Sequence, residues 1–338
     1  TAYFDVGNLG LSTIVLGGLV EKFELQGKIL GEVAMGAVLK HSSDFNLARE
    51  ATLSSGLSSY TPGITIQRAC GTGLDSLIIV ANKIATGQIE VGAGGGSDTT
   101  SDVPISVGKR LRRRLLNLNR AKTLSDRIKA AIKGFSLSEF KPEFPGVAEP
   151  RTGKSMGQSC EVMAKTWQIS REDQDQLAFD SHQKAAAAYA KGFYDDLVMP
   201  FRDIKMDNIL RADTTLEKLS TLKPAFDKHS GKGTLTAGNS TNLSDGASVA
   251  LLSSEQWAAD NNKEIQAYLV DAQVAAVDFV GGDGLLMAPA WAVAQLLKRN
   301  NLSLQDFDFY EIHEAFAAQV LCTLKAWESE EFCKEKLG

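Results

Sequence analysis

The chain has 338 residues, of which 43% are hydrophobic and 23% charged, and its net charge is −5. Such a length holds about two domains of the usual ~100–200 residues, and the composition excludes disordered, collagen-like and coiled-coil chains. No stretch approaches ~18 uninterrupted apolar residues, so no membrane-spanning helix is expected, and the acidic balance excludes a globally basic nucleic-acid binder.

In chain order, the first hundred residues alternate between helical and strand-like segments. Residues 11–23 read as a helix, 28–38 as a strand interrupted by Gly31 and Gly36, and 46–56 as a helix. Residues 63–67 alternate in β fashion behind Pro62. A helix follows Cys70, with Leu74, Leu77, Ile78, Ala81 and Ile84 along one face and Gly87 as its stop. Another strand starts at residue 89. This rhythm predicts an α/β domain over 1–104. Residues 105–235 differ and read as an inserted loop domain. They contain a basic stretch, 109–133, with ten Lys/Arg against one acid, Asp126. That is a local +9, which leaves −14 for the rest of the −5 chain. They also contain an Ala-rich helix over 171–191, with Ser170 as N-cap and Asp173 three residues on. Over 236–338 the α/β rhythm returns. Strands are expected at 247–252, 267–274 and 307–312, and helices at 289–299 and 314–327. Cys70 and His313 each fall at an expected strand-to-helix junction, which suggests an internal duplication.

Four cysteines occur, Cys70, Cys160, Cys322 and Cys333, none in a Cys-x-x-Cys pair. A disulfide scaffold is not expected, and a reducing compartment is the default.

Three segments carry candidate chemistry. In Gln67-Arg-Ala-Cys70-Gly-Thr-Gly73 a cysteine stands directly before a Gly-Thr-Gly turn that opens a helix. The partial positive charge of a helix N-terminus favours thiolate over thiol. Gly71 and Gly73 let a substrate approach the backbone, whose N–H groups suit an oxyanion. From spacing alone Cys70 is either a nucleophile or a buried, inert thiol. The same segment partly matches a dinucleotide fingerprint, Gly71-x-Gly73-x-x-Ser76, with Glu90 at the distance of a ribose contact. Thr152-Gly-Lys-Ser155 partly matches a phosphate loop. In Glu311-Ile-His313-Glu-Ala-Phe316, His313 either points into a cleft or sits satisfied in the core. A helical zinc motif would need a histidine where Ala317 stands, so no metal is expected. Thr236-Ala-Gly-Asn239 and Ser244-Asp-Gly246, ahead of the strand at 247–252, read as a tight loop against a ligand or an ordinary turn.

Taken in this order and spacing, the segments resemble the thiolase family. Gln67-Arg-Ala-Cys70-Gly-Thr-Gly is similar to its nucleophile motif and His313-Glu-Ala-Phe-Ala to its Asn/His-Glu-Ala-Phe motif. Thr236-Ala-Gly-Asn239 with Ser244-Asp-Gly246 is similar to its loop near coenzyme A. Ser155-Met-Gly157 and Arg171-Glu-Asp-Gln-Asp175 match its loop domain. His at 313 and Ser at 155 resemble the fatty-acid β-oxidation branch, and the resemblance runs over essentially the whole chain. It implies a fold of two similar α/β halves, each with a mixed five-stranded sheet packed around central helices, plus the loop domain. It implies CoA-dependent cleavage of a 3-oxoacyl-CoA, or the reverse condensation, through an acyl-cysteine on Cys70 with His313 at the oxyanion. It implies that Ser155, Met156, Arg211, Phe226, Ala237, Thr241 and Phe316 line the coenzyme A channel, with Arg211 as partner of a CoA phosphate. CoA and acyl-CoA are then substrates, with no permanently bound cofactor.

The resemblance further implies a dimer or tetramer of this chain, a hydratase/dehydrogenase subunit as a possible partner, and a cytoplasmic location, or a mitochondrial one in a eukaryote. The basic stretch is expected to be a solvated face. Attraction of the CoA nucleotide, or contact with an anionic membrane or a partner subunit through 109–133, are the alternatives. The family's Gly-His-Pro and Cys-x-Gly segments do not occur here, nor does its first strand. The expectation is therefore a chain lacking both ends, with little turnover when made alone. A non-catalytic CoA-binding relative and a dinucleotide-binding oxidoreductase are the other readings.

Overall fold

The computed structural model describes residues 3–338. In chain order its α-helices of five or more residues are α1 (Gly7–Lys22), α2 (Leu47–Ser54), α3 (Thr72–Ala85), α4 (Lys109–Arg120), α5 (Leu124–Ile132), α6 (Met156–Thr166), α7 (Arg171–Ala190), α8 (Leu216–Ser220), α9 (Glu255–Asp260), α10 (Ala288–Asn300) and α11 (Ala317–Glu328). Its strands are β1 (Glu32–Gly36), β2 (Gly63–Ile66), β3 (Val91–Asp98), β4 (Ser106–Val107), β5 (Pro142–Glu143) and β6 (Gly246–Ser253). The chain packs as two units, Thr1–Gly146 with Ser244–Ile265, and Val147–Leu243 with Gln266–Gly338. The three-part division 1–104, 105–235 and 236–338, which follows the strand–helix rhythm, is a proposal.

The first unit is built on a mixed sheet of order β2-β1-β3-β6. β1 runs parallel to β2 and β3, and β6 runs antiparallel to β3. β1 is buried along its whole length, as expected of an inner strand covered on both faces. Leu16, Leu19 and Val20 of α1 pack with Ala48 and Ala51 of α2 against Val33, Met35, Val91 and Ala93. Glycine dominates β3 because α3 lies directly on it. A Cβ on Gly94 would sit 2.9 Å from the Leu77 backbone, and one on Gly92 2.7 Å from Val80 Cγ1. Of the apolar stripe expected on α3, Leu77 lies against Gly94, but the fully buried positions of the helix fall beside the stripe. Ser76 and Val80 are buried against the sheet, whereas Leu74 is 64% exposed. At the carboxyl end of the parallel strands, Asp98 accepts from the N–H groups of Val38 (2.9 Å) and Leu39 (2.8 Å), closing the loop after β1. Asp245, just before β6, accepts from Thr100 N (2.8 Å), Ser101 N (3.1 Å) and Thr99 Oγ1 (3.1 Å). Burial works to raise its pKa, but these bonds and the Ser101 hydroxyl hold the carboxyl below the ordinary range. β4 and β5 pair into a short ribbon at the base of the α4–α5 hairpin. Inside that hairpin Arg114 binds Glu139 through two bonds of 2.8 Å and reaches the carbonyl of Ala131 (2.7 Å) at the end of α5.

The second unit is helical. Cys160, Met163 and Ala164 of α6, Ala318 and Cys322 of α11, Leu235, Met287 and Ala290 form its core. Ser155 caps α6 in a full capping box with Gln158, and Ser170 caps α7 by accepting from Asp173 N (3.0 Å), as its spacing predicts. The strands expected at 267–274 and 307–312 are not formed. α11 begins at Ala317 rather than 314, so His313 precedes it by four residues and follows no strand. The described residues therefore contain one mixed four-stranded sheet, not one in each half. The reason is pairing. A strand needs a ladder for its N–H and C=O groups, and neither segment meets one among the described residues.

Candidate active site

Cys70 sits between β2 and α3, one residue before the helix N-cap Gly71. The residue ahead of it, Ala69, has φ of +42°, a left-handed conformation unusual for alanine. Thr72 holds that turn shut. Its Oγ1 accepts from Arg68 N (2.8 Å) and donates to Ala69 O (2.7 Å), while Gly71 N donates to Arg68 O (3.0 Å). Arg68 is paired with the buried Asp75 (2.8 Å), and Lys40 Nζ donates to Gln67 Oε1 (3.3 Å). The thiol of Cys70 is exposed, so it is not an inert core cysteine. Nothing lies within 4 Å of the place a Cβ on Gly73 would occupy, so the helix mouth is open. Gly71 and Thr72 spend their N–H groups inside the turn. Those of Gly73 and Leu74 have no partner among the described residues and are the pair left for an anion. The other thiols differ. Cys160 and Cys322 are fully buried, which pushes Cys322 up to about 12 and also raises Cys160, where the neighbouring Cys322 and Glu161 add to burial.

The second unit contains a cavity of about 750 Å³. Its walls are one face of α7, the 207–214 loop, the 237–242 loop and the residues just before α11. Arg211, Ala237, Thr241 and His313 all line it. His313 is exposed on this wall and is not a core histidine. Ser181 Oγ on α7 donates to Glu314 Oε2 (2.7 Å), and His182 Nδ1 accepts from Arg211 N (3.3 Å). The Arg211 guanidinium caps the carbonyl of Asn208 (2.9 Å). The remaining residues singled out by sequence gather elsewhere in the same unit. Phe226 and Phe316 meet edge-on at 5.7 Å, and the Phe226 ring occupies the space a Cβ on Gly157 would need. Gly157 follows Met156 at the start of α6, where the Ser155 hydroxyl is engaged by Gln158 N (3.2 Å). A bridge between Ser240 and Phe316 joins this group to the cavity wall.

The chain matches the thiolase N-terminal domain over residues 1–256 and the thiolase C-terminal domain over residues 263–337. It is 39% identical over 345 residues to a 3-ketoacyl-CoA thiolase of Yersinia enterocolitica, covering all of this chain and 78% of that protein. It is 38% identical over 344 residues to a 3-ketoacyl-CoA thiolase of Shewanella baltica, with the same coverage. The chain belongs to the thiolase family. Among solved structures, human mitochondrial 3-ketoacyl-CoA thiolase in complex with CoA superposes with a TM-score of 0.81 at 28% identity, over 97% of this chain and 79% of that one. The acetyl-CoA acetyltransferase of Bacillus anthracis superposes with 0.79 at 29% identity, over 98% and 80%.

As a thiolase, the chain is not a dinucleotide-binding oxidoreductase, and the glycines at 71 and 73 serve the cysteine turn. The phosphate-loop reading of 152–155 fails for a local reason. Glu149 already accepts from Arg151 N (2.9 Å) and Thr152 N (2.7 Å), the amides that would cradle a phosphate. Sequence reasoning gave no role to the buried carboxylates Glu161 and Asp175. Glu161 accepts from Thr234 N (2.8 Å) and Leu235 N (3.1 Å), and Asp175 accepts from Asn239 Nδ2 (2.9 Å). These three partners lie more than sixty residues away in the chain, so no local spacing announced the contacts.

Proposed function

We propose that this thiolase chain cleaves 3-oxoacyl-CoA with coenzyme A, or runs the reverse condensation, through an acyl-cysteine on Cys70. The observation that carries the reading is the exposed Cys70 on a strained turn at the mouth of α3. Its sulfur, as thiolate, adds to the C3 carbonyl carbon. The C2–C3 bond then breaks, and its electron pair goes to C2, which takes a proton and leaves as acetyl-CoA. The shortened acyl group stays on sulfur as a thioester until the thiol of a free CoA displaces it, giving up a proton that balances the one C2 took and returning the Cys70 thiolate. The N–H groups of Gly73 and Leu74 are suited to the oxyanion of one such addition, and His313 to another. Arg211 is suited to a CoA phosphate, and Ala237, Thr241, Ser155, Met156, Phe226 and Phe316 to the rest of the channel. CoA enters and leaves as substrate.

The test uses intact-mass spectrometry after mixing the chain with a 3-oxoacyl-CoA. The expected result is one acyl adduct, mapped to Cys70 and discharged by free CoA. Cys70→Ala should lose the adduct, and with it the release of a shortened acyl-CoA when free CoA is added. An adduct that persists in Cys70→Ala defeats the reading. CoA binding with no adduct in the parent chain would favour a non-catalytic CoA-binding relative instead.

The partners we propose are a second copy of this chain, as dimer or tetramer, and a hydratase/dehydrogenase subunit. A peripheral membrane contact through 109–133 is also proposed, because the hairpin displays apolar residues among its cations. Leu115, Leu116, Leu124, Ile128 and Ile132 are all exposed. The bacterial relatives support a cytoplasmic location.

A further inference from the structure

We infer that Asp175 and Asn239 are positioning residues that hold the 237–241 loop and the 313–317 segment in a single register at the cavity wall. The inference rests on the coenzyme A reading of that cavity. Asn239 is 2% exposed and Asp175 4%. The Asn239 amide nitrogen donates to Asp175 Oδ1 (2.9 Å) and Thr234 O (3.2 Å), and its oxygen accepts from Thr236 N (2.7 Å). The other Asp175 oxygen accepts from Arg171 Nε (2.7 Å), and Arg171 Nη2 donates to Leu219 O (2.7 Å) at α8. A carboxylate accepts only, and the Thr236 amide donates only, so the Asn239 side chain has one way round. With that side chain locked, the backbone beside it engages the second segment. Ala317 N donates to Asn239 O (3.0 Å), Thr241 N donates to Ala315 O (3.0 Å), and Ser240 faces Phe316 in the bridge between them.

The chain of contacts therefore runs from α8 through Arg171 and Asp175 on α7 to Asn239, and from there to the segments that carry Thr241 and His313. A buried ionic group is a poor source of stability, because desolvation offsets its attraction. What it supplies here is direction, since donor must face acceptor at each step. Asn239→Asp would set two carboxylates against each other and release both segments together. Exchanging the pair, Asp175→Asn with Asn239→Asp, restores one donor facing one acceptor between the two side chains and keeps the Thr236 bond, at the cost of the longer bond to Thr234 O (3.2 Å).

Calorimetric titration of the full chain with CoA tests this. Asn239→Asp should weaken binding about 30-fold, the scale of one or two lost buried hydrogen bonds, and the exchanged pair should return to within about 5-fold of the parent. Undiminished binding by Asn239→Asp, or an exchanged pair as weak as the single variant, overturns the inference. Hydrogen exchange supplies a second readout on chains that keep their fold. In Asp175→Asn the amides of Thr236, Thr241 and Ala317 should lose protection together while those of α6 keep theirs, and unchanged protection of the three refutes the inference. If the parent chain does not bind CoA at all, the functional reading fails, and the exchange experiment still decides the role of the pair.

Discussion

One residue type appears here at four positions in three environments, and the environments separate chemistry from packing. Cys70 stands exposed beside the N-cap of α3, Cys160 and Cys322 are sealed in the second unit's core, and Cys333 is half-buried with its sulfur near Trp327 O (3.3 Å). Only a thiolate is nucleophilic, and burial disfavours it. Iodoacetamide on the native chain should therefore modify Cys70 first and Cys333 more slowly. Cys160 and Cys322 should react only after denaturant is added, and a saturating CoA thioester should protect Cys70 alone. Peptide mapping over time reads this order, and early labelling of Cys322 would contradict the packing described here. The position of Cys70 was legible because the Gly-Thr-Gly that follows it punctuates the chain locally. The strain at Ala69 was not, because it depends on the Thr72 hydroxyl closing the turn from the far side. The Asp175–Asn239 contact was hidden for a similar reason: nothing in 175 or 239 alone specifies the other.

At the scale of elements, periodicity identified what local sequence decides. The helix N-cap at Ser170, the strands β2 and β3, and the helices α2 and α10 fall where caps, alternation and apolar spacing put them. The strands expected at 267–274 and 307–312 failed because alternation reports suitability for a sheet, while a sheet also needs a neighbour. Their apolar side chains consequently face solvent. Phe309 is 88% exposed, whereas Phe316, seven residues on, is 8% exposed and packed against Phe226. The two phenylalanines should therefore differ sharply on truncation. Phe309→Ser should change the unfolding free energy by no more than about 0.5 kcal/mol, as surface substitutions do. Phe316→Ala should cost about 3–5 kcal/mol, the usual loss for a buried aromatic side chain. Urea denaturation followed by circular dichroism measures both. A cost at Phe309 equal to that at Phe316 would mean the 307–312 segment is packed after all.

For the whole molecule the distribution of charge matters more than its sum. A chain of net −5 concentrates +9 within 109–133, and this stretch forms the α4–α5 hairpin. Arg114 is not part of the displayed charge, since its guanidinium is committed to Glu139 and to the end of α5. On α5 the cations Arg127 and Lys129 flank Leu124, Ile128 and Ile132, which recur every fourth residue and so share one exposed face. An exposed apolar stripe bordered by cations fits an anionic lipid surface, where each basic residue adds about 1 kcal/mol of attraction that salt screens. Flotation with vesicles containing phosphatidylserine should therefore carry the chain upward at low salt, with far less bound at 0.5 M NaCl and none on neutral phosphatidylcholine. Replacing Ile128 and Ile132 by Ser should reduce binding at every salt concentration, because the apolar contribution is not screened. Replacing Lys129 and Lys133 by Gln should reduce it mainly at low salt. Binding that ignores lipid charge, or that survives all four substitutions, would return the hairpin to an ordinary solvated face.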